Sequence, residues 1–173
     1  MRSVAILFLF SVAWVSVSGQ VHQKGVAAID LSIHKSGIGI MGSAAYSRNF
    51  TDQAYIQARG IIEYGRLYNF KYTLYGADLL TYYNPFFLSD FFQVNVGIGL
   101  TGGYERMTGI TKEKAGRLGW IVGVKGAIEA EAFLSDQIGF VLSGRQAFML
   151  KKGIGSNYYE VGIGLRIFIN NYY

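Results

Sequence analysis

Ten charged side chains sit at alternating positions within otherwise apolar or small-residue segments: Asp30, Arg59, Glu63, Lys71, Lys125, Glu129, Glu131, Arg145, Glu160 and Arg166. A period of two puts such residues on one face of a strand. That face can relay protons or ions, or its charges can pair and block passage. Glu129, Glu131, Arg145 and Arg166 form the densest group, and in a narrow bore a salt-bridged plug is favoured over a pathway. The set holds five acids and five bases, the balance expected of charges that must pair out of water. Other chemistry is scarce. The only histidines are His22 and His34, there is no cysteine, and no HExxH spacing occurs, so neither a metal nor a cofactor is expected. A Ser–His pair of His34 with Ser32 or Ser36 is conceivable, but a strand-end histidine reads as a solvated polar residue. No catalytic residue is assigned, and the chain reads as a non-enzyme. "GIGLTGG" (Gly97 to Gly103) has no following helix and so reads as small residues alternating along a strand, not as a phosphate loop.

The elements that must position these charges are eight segments of period-two alternation near 25–34, 37–47, 54–64, 67–83, 91–104, 118–132, 137–149 and 158–169. In the last, Tyr159, Val161, Ile163, Leu165, Ile167 and Ile169 fall on one face, with Glu160, Gly162, Gly164, Arg166 and Phe168 on the other. The uncharged face elsewhere carries Ile29, Leu31, Ile33, Ile38, Ile40, Tyr46, Ile56, Ile62, Tyr64, Tyr68, Phe70, Tyr72 and Leu74. Beyond those it carries Val94 to Leu100, Leu118 to Ile128 and Ile138 to Leu142 at every second position. With 23 glycines, 13 tyrosines, 12 phenylalanines and one proline, the composition disfavours helices and suits pleated strands.

Residues 1–19, "MRSVAILFLFSVAWVSVSG", have one basic residue, an apolar block from Val4 to Val17 and small residues at the end, which predicts a cleaved secretory signal peptide. The block is shorter than the roughly 20 residues of a spanning helix, so a membrane anchor is the lesser alternative. Residues 20–173 then form one domain. With no cysteine there is no lipid-anchored cysteine and no disulfide.

A soluble barrel of lipocalin type would turn the apolar face inward. Aromatics near strand ends on that face (Tyr46, Tyr64, Tyr68, Phe92, Tyr104, Trp120 and Tyr159) instead resemble interfacial girdles. The expected fold is therefore all-β: an eight-stranded antiparallel up-and-down outer-membrane β-barrel with the charges inside. Three connections then fall at the periplasmic end, "RNFTD" (Arg48 to Asp52) and two copies of "FLSD" (Phe87 to Asp90, Phe133 to Asp136). The tetrapeptide recurs because both copies close tight turns, with Ser and Asp able to bond their own backbone. In 67–83, Asp78 lands on the apolar face unless a bulge near Gly76 shifts the register.

The outer connections hold Lys35, Arg66, Arg106, Lys112, Lys114, Arg117, Lys151 and Lys152 against Glu105 and Glu113. This basic rim, with the loop residues Arg106, Lys112, Lys114 and Arg117 at its centre, should attract lipopolysaccharide phosphates, with direct DNA contact the less favoured alternative. "NVGIGLTGGYE" (Asn95 to Glu105), "GVKGAIEAEAFLSDQIGFVLSGRQAF" (Gly123 to Phe148) and "GIGLRIF" (Gly162 to Phe168) resemble the conjugative transposon TraO family of Bacteroidetes mobile elements. The resemblance is carried from about Phe92 onward, by the order of motifs more than by any one of them. It implies an outer-membrane part in conjugal DNA transfer, with partners among the other proteins of the conjugation apparatus, and supplies no catalytic residue. The alternatives are a generic OmpX-like small outer-membrane barrel for adhesion or envelope integrity and, third, a lipid-modifying enzyme.

Overall fold

The computed structural model describes residues 24–67, 70–89, 91–109, 119–150 and 156–169. The expected signal peptide therefore lies outside the described residues. Eight strands, β1 (Ala27–Ser36), β2 (Gly39–Asn49), β3 (Ala54–Leu67), β4 (Phe70–Ser89), β5 (Phe92–Gly109), β6 (Gly119–Ser135), β7 (Ile138–Met149) and β8 (Asn157–Ile169), follow one another around a closed antiparallel barrel. Pairing of β1 with β8, from Ala27 opposite Ile169 to Ser36 opposite Glu160, closes it and leaves no strand edge to satisfy in hydrocarbon.

The outward face is apolar. Ile33, Ile98, Trp120 and Leu165 are 64%, 72%, 69% and 48% exposed, whereas Glu129, Glu131 and Arg166 lie inside, at most 1% exposed. That inversion of the usual burial rule excludes the soluble barrel and is what a bilayer-facing wall requires. Tyr46, Tyr83 and Phe140 stand outward toward one end, and Tyr64, Tyr104, Trp120 and Tyr159 toward the other. Of the other expected girdle residues, Phe92 is half-buried and Tyr68 lies outside the described residues.

The two ends differ in their connections. One, the turn end, joins strands through residues 50–53, 90–91 and 136–137; the other, the loop end, uses 37–38, 68–69, 110–118 and 150–156. Both FLSD copies reach the turn end with the same irregularity. The pairing steps from Phe87 to Ser89 in one and from Phe133 to Ser135 in the other, skipping the leucine each time. Each serine then pairs with the residue three further on, Ser89 with Phe92 and Ser135 with Ile138. In the second copy the Gln137 amide donates to Ser135 Oγ at 3.3 Å, the local bond that Ser favours in turns. At the loop end Gly119 opens β6 with φ +95°, a conformation L side chains resist.

β4 corrects one expectation. Its pairing runs unbroken through Gly76, and its only shifts lie beyond Tyr83. Yet Tyr72, Leu74, Asp78, Leu80 and Tyr82 face inward, while Lys71, Tyr75 and Leu79 face outward. The parity of the whole strand is the reverse of that expected, with no bulge near Gly76. Both faces of "KYTLYGADLLTYY" are apolar or aromatic, so alternation alone cannot choose between them. Depth decides it: Asp78 lies mid-strand and has to leave the hydrocarbon, whereas Lys71 at the loop end can reach water from the outside.

Candidate functional site

Three tiers of polar side chains fill the lumen. Nearest the turn end, Glu129 of β6 accepts from Tyr55 Oη at 2.8 Å, Tyr82 Oη at 2.9 Å, Arg145 Nη2 at 2.6 Å and Arg166 Nη2 at 3.0 Å. Arg166 also donates to Glu131 at 2.7 Å and Asp30 at 2.5 Å, so one guanidinium serves three carboxylates. It lies 5.0 Å from the centroid of the Tyr55 ring, and Tyr55 stacks on Tyr82 with centroids 4.8 Å apart. Gln57 donates to Asp30 and Gln93 to Glu131, both at 2.9 Å. The "KGAIEAEA" run of β6 makes this possible, because Ala127 is small and inward-facing beside Glu129 and leaves space for two tyrosines and two guanidinium groups.

In the middle tier, Asp78 accepts from Arg59 Nε and Lys125 Nζ, each at 2.9 Å, and from Thr101 Oγ1 at 2.5 Å. Glu160 pairs with Arg59, with Lys125 at 3.5 Å and with Arg145 at 3.8 Å. Arg145 thus ties the two tiers together.

Toward the loop end the pattern changes. Glu63 and Glu105, 1% and 0% exposed, accept from hydroxyl groups: Ser36 donates to Glu63, and Tyr72 and Tyr158 donate to Glu105 at 2.9 and 2.5 Å. Neither makes an ion pair among the described residues, and the second oxygen of each has no hydrogen-bond partner there. A cavity of about 30 Å³ lies between Ser36, Glu63, Lys125 and Glu160, walled by Met41, Ile61, Leu74 and Ile121.

Of the expected charged set, Arg59, Glu63, Lys125, Glu129, Glu131, Arg145, Glu160 and Arg166 point into the lumen together with Asp30. Lys71 does not: it is exposed on the outer wall, a consequence of the β4 parity. Asp78 takes a place in the network, where Arg59 directly faces it across β3 and β4. Glu105, expected in the outer connection, lies inside because β5 continues to Gly109. The expected balance of five and five is thereby corrected to seven buried carboxylates and four buried cations among the described residues.

His34 is also corrected, from a solvated strand end to a lumen residue 1% exposed. Its Nε2 lies 2.8 Å from Ser32 Oγ and 3.3 Å from Arg145 Nη1. A guanidinium only donates, so Nε2 accepts and the proton sits on Nδ1. Nδ1 has no partner among the described residues, so no carboxylate orients this pair as a triad requires. Within the basic outer loop, Arg106 stands exposed on β5, and Lys112, Lys114 and Arg117 lie outside the described residues. No group of three potential metal ligands occurs among the described residues.

A family model described as "Conjugative transposon protein TraO" matches residues 66–169. No match was found among curated protein sequences. Among solved structures the chain is similar to Neisserial surface protein A, with TM-score 0.66 and 10% identity over 82% of this chain and 95% of that one. The N-terminal β-barrel domain of Pseudomonas aeruginosa OprF aligns with TM-score 0.62 and 12% identity over 84% and 98%. The attachment invasion locus protein Ail of Yersinia pestis aligns with TM-score 0.60 and 6% identity over 85% and 100%. At such identities the likeness is one of fold.

Proposed function

Because this chain belongs to the conjugative transposon protein TraO family, we propose that it is an outer-membrane component of a conjugative transfer apparatus, acting by structure and contact and without catalysis. The observation that carries this reading is the pairing of that family match with a closed barrel whose wall is apolar and whose lumen is bonded shut by Arg59, Arg145 and Arg166. A lumen so filled offers DNA no passage, so its part in transfer is to anchor or present a surface. The loop end faces the outside, as the longer connections of outer-membrane barrels do, and the basic connection after β5 meets a partner protein during mating.

The test uses mating cells. Deleting the gene should lower transfer frequency, and wild-type transfer in the deletion strain would reject the role. Replacing Arg106, Lys112, Lys114 and Arg117 together by Ser should reduce transfer while the barrel still folds, as heat-modifiability on gels would show. Normal transfer with altered sensitivity to cationic peptides would instead identify a general envelope barrel.

A further inference from the structure

Three exposed cations of the outer wall stand together at the loop end: Arg66 on β3, Lys71 on β4 and Arg106 on β5. The register sets Arg66 directly opposite Lys71, and Lys71 opposite Thr108, with Arg106 opposite Thr73 two residues nearer the barrel middle. Like charges directly opposed across two strands repel. None of the three makes an ion pair among the described residues.

The rows beneath them are ordered. Ile62, Tyr75, Tyr104 and Trp120 are register partners across β3 to β6, and Tyr104 meets Trp120 edge to face at 5.5 Å. The next outward row, Gly60, Ala77 and Gly102, is nearly bare of side chains. There a groove opens, lined by Tyr75, Ala77, Gly102, Trp120 and Val122. From the loop end toward the bilayer centre, one stretch of wall thus offers cations and hydroxyls, then an aromatic row of the kind that lies at headgroup depth, then an apolar slot in the hydrocarbon.

We propose that this wall binds a phosphorylated, multiply acylated lipid of the outer leaflet. Its phosphates sit on Arg66, Lys71 and Arg106, with the hydroxyls of Thr73 and Thr108 beside them, and one acyl chain lies in the groove. The proposal rests on the reading that the loop end faces outward. A second copy of the chain does not fit the same surface: two barrels in one membrane share an orientation, so a two-fold axis along the normal would bring the cation rows together. A phosphate-bearing lipid answers both the cations that have no carboxylate partner among the described residues and the slot.

The experiment takes the full chain folded in neutral detergent and titrates it with bisphosphorylated lipid A, and with the same glycolipid after dephosphorylation, reading bound lipid by native mass spectrometry. The wild type should prefer the phosphorylated form. The triple variant Arg66→Gln, Lys71→Gln, Arg106→Gln should bind it roughly a hundredfold more weakly, about fivefold for each cation near an anionic surface. Ala77→Trp, which fills the groove and leaves the cations in place, should also weaken binding. Arg48→Gln, an exposed cation at the turn end, should not. Equal binding of both glycolipids by the wild type overturns the proposal, as does an undiminished affinity of the triple variant. Displacement by equimolar inorganic phosphate would show an adventitious anion site, and a dimer that Ala77→Trp disrupts would show that a second copy occupies the wall. The assay is independent of mating, so its failure and that of the transfer role are distinguishable.

Discussion

The two halves of the lumen bury carboxylates by different means. Toward the turn end and the middle, Asp30, Asp78, Glu129, Glu131 and Glu160 share Arg59, Lys125, Arg145 and Arg166, so each cation serves two or three acids. Toward the loop end, Glu63 and Glu105 meet, among the described residues, only hydroxyl donors from Ser36, Tyr72 and Tyr158. The difference sets how each half responds to the loss of one charge. A charge-assisted network in a low dielectric is costly to break at any one point, whereas neutral donors around an acid tolerate loss of the charge itself.

The largest expected effect comes from the cation with the most partners. Arg166→Ala leaves Asp30 and Glu131 without a cation and Glu129 with Arg145 alone, and should destabilise the barrel by about 3–5 kcal/mol, seen as a lower urea midpoint in lipid vesicles; an unchanged midpoint would mean water reaches the turn half. Asp78→Ala should be comparable, on the order of 3–5 kcal/mol, because Arg59 and Lys125 lose a shared anion. Lys71→Ala should leave the midpoint where it is, and the reverse ranking would restore the opposite parity of β4. On the wall, Leu142→Arg should hinder insertion by about 2–4 kcal/mol near the midplane, read by heat-modifiability on gels. Ser143→Asn, one residue along and facing the lumen, should be milder; equal behaviour of the two would contradict the facing of β7.

How much of this was legible in the sequence follows from the same contrast. β8 could be read because Glu160 and Arg166 share one parity and the branched aliphatics the other. The turn-half network could be read for the same reason, since Glu129, Glu131 and Arg145 lie in strands with one unmistakably apolar face. β4 could not, because its two faces are equally apolar and its two charges, Lys71 and Asp78, have opposite parity. What distinguishes them is depth, which a linear pattern does not carry. Glu105 was obscured because "YERMTG" looks like the start of a connection, while the β5 ladder with β4 continues to Gly109 opposite Phe70. His34 was obscured by its place near a strand end; Gly162 on the neighbouring strand makes its space, since a Cβ there would run into the ring. The resemblance was plain from about Phe92, and the family match begins at residue 66, so the β4 stretch that alternation misread lies within it.

The most direct test of the difference between the halves is a pair of isosteric changes compared in the same membrane. Glu129→Gln removes the charge that Arg145 and Arg166 share, and Glu105→Gln removes a charge that meets tyrosine hydroxyls, with almost no change of volume in either. The predicted result is a loss of about 3 kcal/mol or more for Glu129→Gln, the cost of leaving buried cations underpaired, and a change within about 1 kcal/mol for Glu105→Gln, whose amide oxygen still accepts the hydroxyl bonds. Equal losses, or a larger loss at Glu105, would contradict the division of the lumen into an ion-paired half and a hydroxyl-bonded half.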